Sequence, residues 1–236
     1  MSSQQNPYPV TSSERRSLGA SLVKLPVQYV RSIFTPTAST FAREAEYANW
    51  GAVWLQLLIL ILVPSLLGLF RGLFRDSSTG IALNSNIVFY ILSTITVGTS
   101  IASFILKLIF VPIIFFIGLT AQYLVARAFK GVGSYLAQGY AMLLYQVPLE
   151  LIGGIIITIL VYRHFSTFFF SPLISIALFA YGVIVNIAAI RGVHNLSAGK
   201  ATAAVLIPYG VGILLACSLT FALAHYILNL LHSVNR

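Results

Sequence analysis

Glu150 is the one acidic residue that stands within a long apolar stretch of this sequence. A charged side chain near the centre of a bilayer costs roughly 2.5–3.5 kcal/mol on insertion scales, so we expect Glu150 to face other helices or to be protonated. Two interpretations stay open. The carboxyl could form a proton or cation site, or it could be neutral and bonded to a backbone carbonyl that Pro148 leaves free.

Lys107 is the first partner to test for Glu150. Helical rise places Lys107 near one end of its apolar stretch and Glu150 near the middle of another, so an ion pair would need a tilted or earlier helix. Extension of the Lys107 ammonium to the lipid headgroups is the alternative. The second, third and fourth long apolar stretches also carry amides, which are Gln122, Gln138, Gln146 and Asn186. Such amides usually bond one helix to another, for about 1 kcal/mol or less each, and lining a solute path is their other use.

The numbers and spacing of the cysteine, histidine and acidic residues do not indicate a catalytic, metal or cofactor site. The chain has one cysteine, four histidines and five acidic residues. No histidine has a second ligand-type residue three or four positions away, and a metal site needs several converging donors. The glycines of the loop from Arg127 to Tyr135 fit neither a phosphate loop nor a dinucleotide fingerprint. We therefore expect no enzyme activity, no metal and no cofactor.

The elements that carry these residues are predicted to be membrane-spanning helices. The chain is 58% hydrophobic and 8% charged, with a mean hydropathy of +0.91, whereas soluble domains carry about 25% charged residues. A membrane β-barrel would require strands in which apolar and polar residues alternate, and the sequence shows no such alternation. The predicted fold is an all-α membrane protein, a bundle of five transmembrane helices with an amphipathic cytosolic amino-terminal segment. The predicted spans are residues 52–70, 104–126, 137–162, 172–190 and 201–231.

The apolar stretch from Ile87 to Ala126 could hold one span or two. Five spans place nine basic residues on the amino-terminal side and four on the other, whereas six spans give eight and six. Cytoplasmic loops collect Lys and Arg, so five spans are favoured, with the amino terminus in the cytosol and the carboxyl terminus outside. Residues 84–103 then lie along the membrane or re-enter it. In a bacterial source the membrane would be the cell membrane.

The amino-terminal region divides into a tail and a set of helices. Residues 1–13 are polar and predicted to be disordered. Residues 14–49 are predicted to form amphipathic or interfacial helices, the first of them divided or kinked by Pro26. Its apolar stripe is Leu18, Leu22, Leu25, Tyr29 and Ile33. That stripe would rest on the membrane surface or pack on the protein's own cytosolic face. Thr35 and Pro36 predict the start of a second helix that continues into the first span.

The formal net charge of +9 comes from basic residues spread at the ends of apolar stretches. Nucleic-acid binding would need a basic block with interleaved aromatic residues, so no nucleic-acid partner is expected. Anionic lipid headgroups, or a protein partner on the cytosolic face, fit this distribution better. The candidate lipid or partner contacts are Arg15, Arg16, Lys24, Arg31, Arg127 and Lys130. Trp50 and Trp54 are expected at the headgroup level, which indole rings prefer.

Several short motifs resemble the bacterial branch of the YIP family, the Ypt-interacting membrane proteins. They are Trp50-Gly51, Ala126-Arg127, Gly131 to Tyr135, Tyr140, Pro148, and the loop from Arg191 to Lys200 that leads to Pro208. The resemblance implies a five-helix membrane domain over residues 50–236 and a cytosolic segment before it. Eukaryotic members bind prenylated Rab-type GTPases through that segment, but this sequence lacks their Asp-Leu-Tyr-Gly-Pro-type motif.

Two functions fit the sequence. The first is a non-enzymatic membrane scaffold or adaptor, related to proteins of membrane trafficking or organisation. The second is a small-solute, ion or lipid permease that uses Glu150 in the bundle. Gly153 and Gly154 would allow close helix contact, either within one bundle or between two copies in a homo-oligomer.

Overall fold

The computed structural model describes residues 18–75, 86–162 and 167–234. Over these ranges the chain forms seven α-helices and one short 3₁₀ turn. The helices are α1 (Leu18–Phe34), α2 (Ala38–Glu44), α3 (Trp50–Arg75), α4 (Asn86–Ala128), α5 (Tyr135–Tyr162), α6 (Thr167–His194) and α7 (Ala198–Val234). The 3₁₀ turn (Ala45–Tyr47) lies between α2 and α3. The predicted tail, residues 1–13, lies outside the described residues.

Five of these helices, α3 to α7, are long and apolar enough to cross a membrane. The candidate spans are Trp50–Gly68, Ala102–Ala128, Tyr135–Leu160, Phe170–His194 and Ala198–Ile227. Their ends fall within four residues of the predicted ones. The all-α, five-span membrane fold is therefore confirmed, and the chain is an integral, multi-pass membrane protein.

Contacts near the ends of the helices show that consecutive spans run in opposite directions. At one end of the bundle the Val132 N–H donates to the His194 carbonyl (3.2 Å), and the Trp50 ring lies 6.5 Å from the Tyr135 ring. This end carries α2, the loop of residues 129–134 and the turn of residues 195–197. We call it the basic end, because Arg43, Lys130, Arg191 and Lys200 lie there, all of them exposed.

The fourth helix differs from the prediction. Residues 84–103 were expected to lie along the membrane or re-enter it, but α4 runs without a break from Asn86 to Ala128. Its 43 residues are about 64 Å long, roughly twice the thickness of the hydrocarbon core. Pro112 lies inside this helix without ending it. Residues 86–103 are thus helical and continuous with the candidate span Ala102–Ala128. Their place along or within the membrane stays a prediction, and residues 84 and 85 lie outside the described residues.

The amino-terminal helices also differ in their boundaries. Pro26 does not divide α1, which is continuous over 17 residues. Thr37 rather than Thr35 caps α2, and its hydroxyl accepts from the Thr40 N–H (3.2 Å). The chain then turns through an extended residue, Ala48, so α2 does not continue into the first span. Asn49 caps α3 by accepting from the Ala52 N–H (2.8 Å), an ordinary amino-terminal cap.

The fifth helix occupies the centre of the molecule. Its residues Tyr140, Leu143 and Leu144 are fully buried, and they pack against α1, α2, α3 and α6 in one cluster. Long apolar side chains of the spans that point away from this cluster are exposed, as a lipid-facing surface requires. Burial on α5 therefore holds the amino-terminal helices and the spans together as one unit.

Three glycines let helices approach closely. A methyl group at Gly153 would meet Leu178 of α6 at 2.8 Å, and one at Gly154 would meet Leu67 of α3 at 2.9 Å. These two glycines therefore pack within one bundle, which was one of their two expected uses. At Gly192 of α6, a methyl group would overlap the Ala38 carbonyl of α2. The absence of a side chain at Gly192 thus lets α2 rest on α6.

Substitution of Gly192 by Ala should loosen α2. The added methyl meets backbone atoms of α2, which cannot rotate away, so we expect a loss of about 1–3 kcal/mol in the free energy of unfolding. Thermal unfolding of the purified protein in detergent measures it. Gly199→Ala is the matched control, since a methyl group there meets nothing within 4 Å. Equal stability of the two variants would contradict the close approach of α2 to α6.

Candidate functional site at the basic end of the bundle

A buried carboxylate joins the two amino-terminal helices. Glu44, the last residue of α2, is 2% exposed. Its two oxygens accept from Gln28 Nε2 (2.8 Å) and from Arg31 (2.6 Å), both on α1. Arg43 lies 3.5 Å from the same carboxylate. A buried carboxylate needs both a countercharge and hydrogen-bond donors, and Glu44 has them.

The same network continues into the spans. The Tyr140 hydroxyl of α5 donates to Gln28 Oε1 (2.7 Å), so Gln28 bonds to α2 and α5 at once. Near the end of α1 the Ser32 hydroxyl donates to the Leu144 carbonyl of α5 (2.7 Å). The Tyr181 hydroxyl of α6 donates to the carbonyl of Ile33. These bonds fix the position of α1 against two spans.

The polar contacts of this network determine how α1 and α2 are positioned more than they add to the free energy of unfolding. Arg31 is 40% exposed at its side chain while Glu44 is 3% exposed. A pair of this kind gains little over an apolar contact, because desolvation offsets the attraction, but it is costly to break from one side. Close by, burial raises the pKa of the Tyr29 phenol above its ordinary value, and the neighbouring Tyr140 adds to the rise. Tyr29 is thus a neutral phenol here at physiological pH.

The loop between α4 and α5 is held in one conformation. Lys130 has a φ of 67°, and the Gly131 N–H returns to the Ala126 carbonyl (2.9 Å), which together form a Schellman ending of α4. Arg127 donates from its guanidinium to the Gly131 carbonyl (2.9 Å). A methyl group at Gly131 would meet His194 at 2.8 Å, so only glycine fits between the two loops.

Helix α6 ends in the same way as α4, at the turn that joins it to α7. Asn195 has a φ of 53°, and the Leu196 N–H bonds to the Arg191 carbonyl (3.2 Å). Buried His194 lies beneath both loops and donates from Nε2 to Gln138 Oε1 of α5 (2.8 Å). The loop of residues 129–134 is thus a tight turn between α4 and α5, and contact of its Lys130 with headgroups stays a prediction.

The predicted basic contacts divide into three groups. Lys24 and Lys130 are exposed, and Lys24 donates to the Tyr47 hydroxyl (3.1 Å). Arg31 and Arg127 are committed to bonds within the protein, with Glu44 and with the Gly131 carbonyl. Arg15 and Arg16 lie outside the described residues. Trp50 and Trp54 are exposed at the start of the first span, as an interfacial position requires.

The candidate intramembrane polar site is not brought together. Glu150 is exposed on the surface of α5, so the first of its two expected states, facing other helices, is not what the structure shows, and the second stays a prediction. Lys107 and Gln146 are half-buried, and neither Lys107 nor Glu150 forms an ion pair with the residues that the structure describes. By contrast, buried Gln122 of α4 and Asn186 of α6 meet, with Asn186 Nδ2 donating to Gln122 Oε1 (3.2 Å). These two amides bond helix to helix.

With this geometry in place, comparison with known proteins identifies the family. A family model described as the Yip1 domain matches residues 30–219. The chain belongs to the Yip1 domain family. The match begins inside α1, about 20 residues before Trp50, where the resemblance was expected to start. It therefore includes Arg31, Glu44 and Tyr140 together with the spans. No match was found among curated proteins or among solved structures.

Sequence reasoning missed the residues that hold α1 and α2 against the spans of this Yip1 domain. Glu44 had a usable signal, because a carboxylate is rare in this chain and Glu44 stands close to the first span. Gln28 and Ser32, four residues apart, fall beside the predicted stripe of α1 and could have been read as an inward polar face. Nothing in the sequence marks Gln138 and His194 as partners, since 56 residues separate them.

Replacement of Glu44 by Ala should release the amino-terminal helices. The buried amide of Gln28 and the guanidinium of Arg31 would lose their acceptor, at a cost of about 1–3 kcal/mol in the free energy of unfolding. Limited proteolysis in detergent should then cut the chain near residues 35–37 more readily. Glu46→Ala, at an exposed carboxylate two residues away, is the control. Identical digestion of both variants would show that Glu44 does not hold α1 and α2.

The Gln122–Asn186 contact can be measured with a double-mutant cycle. Gln122→Leu should cost about 0.6–1.7 kcal/mol in unfolding free energy, the range of interhelical hydrogen bonds in membranes. Addition of Asn186→Leu should cost less than Asn186→Leu alone, since no amide is then left unpaired. Unfolding of the three variants in detergent gives the coupling energy. Strict additivity of the single effects would mean that the bond contributes nothing.

Proposed function

We propose that this Yip1-domain protein is a non-enzymatic membrane scaffold, which holds a partner with an acidic surface at its basic end. The observation that carries the proposal is the fixed arrangement of that end. Glu44 and Gly192 hold α2 on the bundle, and the two Schellman endings hold the neighbouring loops. A rigid surface of this kind suits recognition, because little conformational freedom is lost on binding.

The charges of the basic end are available to such a partner. Lys130, Arg191 and Lys200 are exposed, and Lys130 and Arg191 lie at the helix endings that the two loops fix. We place this end in the cytosol, since Lys and Arg collect in cytoplasmic loops. The Yip1 family is related to membrane trafficking and is not known for enzymes. An adaptor in the membrane fits both features.

The permease is less well supported. Its central residue, Glu150, is exposed on the outer surface of α5 rather than among the helices. Gln122 and Asn186 bond to each other across α4 and α6, which is the helix-to-helix use of such amides rather than the lining of a solute path. A transport role would therefore need a different polar route from the one that the sequence suggested.

Charge reversal at the basic end tests the scaffold. Tagged protein carrying Lys130→Glu, Arg191→Glu and Lys200→Glu should lose partners that the unaltered chain captures from solubilised membranes, because attraction becomes repulsion. Quantitative mass spectrometry of the captured proteins measures the loss. The matched control keeps the charge with Lys130→Arg, Arg191→Lys and Lys200→Arg, and it should capture the same set as the unaltered chain.

The variant Glu150→Gln separates the two functions when capture of partners and function in cells are both measured. The scaffold predicts that this variant captures partners normally and supports growth or trafficking as the unaltered chain does. A permease predicts the reverse pattern, with function lost at Glu150 and retained after reversal of the basic end. That reverse pattern would refute the scaffold proposal.

A further inference from the structure

Helix α1 carries apolar side chains on the side that faces away from the bundle. Its exposed residues include Val23 (82%), Val27 (58%), Val30 (58%) and Phe34 (77%). Spacings of four, three and four residues put all four on one narrow stripe of the helix. We call them the outer stripe. A soluble helix would turn such a stripe inward.

The opposite side of α1 buries polar as well as apolar side chains, Ile33 among the latter. Gln28 and Ser32 are buried there with Leu25, about half a turn around the helix from the outer stripe. Both polar side chains bond to the bundle, Gln28 to Glu44 and Tyr140 and Ser32 to the Leu144 carbonyl. Polar groups inward and apolar groups outward are the arrangement that hydrocarbon favours.

The depth of α1 follows from its partners on the spans. Leu144, which accepts from Ser32, is nine residues along α5 from Tyr135, which is about 14 Å of helix. Tyr181, which bonds to the Ile33 carbonyl, is thirteen residues before His194, or about 20 Å. Both partners lie inside candidate spans that cross the membrane. The carboxyl end of α1 is therefore held at a depth where the surroundings of the bundle are lipid tails.

We infer that the outer stripe contacts lipid acyl chains, so that α1 dips into the bilayer from the basic end as a sixth membrane element that does not cross it. Arg31 fits this position, because its charge at that depth is paired with Glu44 (2.6 Å) rather than left alone. Lys24, nearer the start of α1, is exposed and within reach of headgroups. The inference goes beyond the scaffold proposal, since it holds whether or not the basic end binds a partner.

Fluorescence quenching on the full chain tests the inference. Cys217→Ala removes the one native cysteine, and single cysteines at Val23, Val27, Val30 and Phe34 then carry a bimane label in phosphatidylcholine vesicles. Nitroxides on the lipid acyl chains should quench labels at Val30 and Phe34 strongly, and aqueous iodide should quench them weakly. A label at exposed Ile213 of α7 is the lipid-facing control, and a label at Lys130 is the aqueous control.

The outcomes are distinct. Labels at Val30 and Phe34 that behave like the one at Ile213 support the inference. Labels that behave like the one at Lys130 overturn it, and so do labels shielded from both quenchers, because a second copy or another protein would then cover the stripe. A measurement on the unaltered chain avoids any folding defect. Phosphatidylcholine with a photoreactive diazirine in its acyl chain should cross-link to α1 peptides, and their absence while α7 peptides are recovered would also overturn the inference.

Discussion

Hydrocarbon offers no hydrogen-bond partners, and this constraint governs most of what the structure shows. A polar group that a span carries inward is costly unless it finds a partner in the protein. Asn186 donates to Gln122 across two helices, and His194 donates to Gln138 beneath the loops. The pairing is not complete, since the side-chain amide of Gln56 is buried with no hydrogen-bond partner among the described residues. Two exposed hydroxyls of α7 donate to carbonyls four residues back in their own helix.

The same constraint explains why Glu44 can be buried beside the spans. Its carboxylate accepts from an amide and a guanidinium, and the amide in turn accepts from a tyrosine of α5. Such a chain of bonds is directional, so it fixes how α1 and α2 sit on the bundle in a way that apolar contact alone would not. The Yip1 match over residues 30–219 extends across this joint, so the domain comprises α2 and the end of α1 as well as the spans.

The spans could be predicted from sequence because their signal is local. Long apolar stretches bounded by charges need no knowledge of neighbours, and the ends of all five spans were placed within four residues. The orientation of individual residues was not available in this way. Glu150 was expected to face other helices or to be protonated, and it is exposed. The stripe of α1 was expected to rest on the membrane or on the protein's own cytosolic face, and its residues Leu25 and Ile33 are buried against the bundle. One sequence does not show which side of a helix meets lipid when both sides are apolar.

The candidate site depended on contacts between distant parts of the chain, and these leave no local trace. Gln28 and Tyr140 are 112 positions apart, and their residue types are common in soluble helices too. The division of α1 at Pro26, one of its two expected effects, is absent for a related reason. Pro26 removes one backbone donor, yet α1 continues through it, as α4 does through Pro112. A missing bond does not end a helix whose flanks are held by neighbours, or by a solvent that penalises free backbone groups.

The attachment of α1 has a consequence for the order of assembly during synthesis. Ser32 bonds to a residue 112 positions later, and Ile33 to one 148 positions later. At translation rates of about 5–20 residues per second, the earliest described helix waits on the order of 6–30 s for the spans that receive it. Until then Gln28 has only Glu44, 16 positions later, as a partner, and the ribosome-bound intermediate must shelter Ser32 by other means. The first described helix to leave the ribosome is thus among the last to reach its final place.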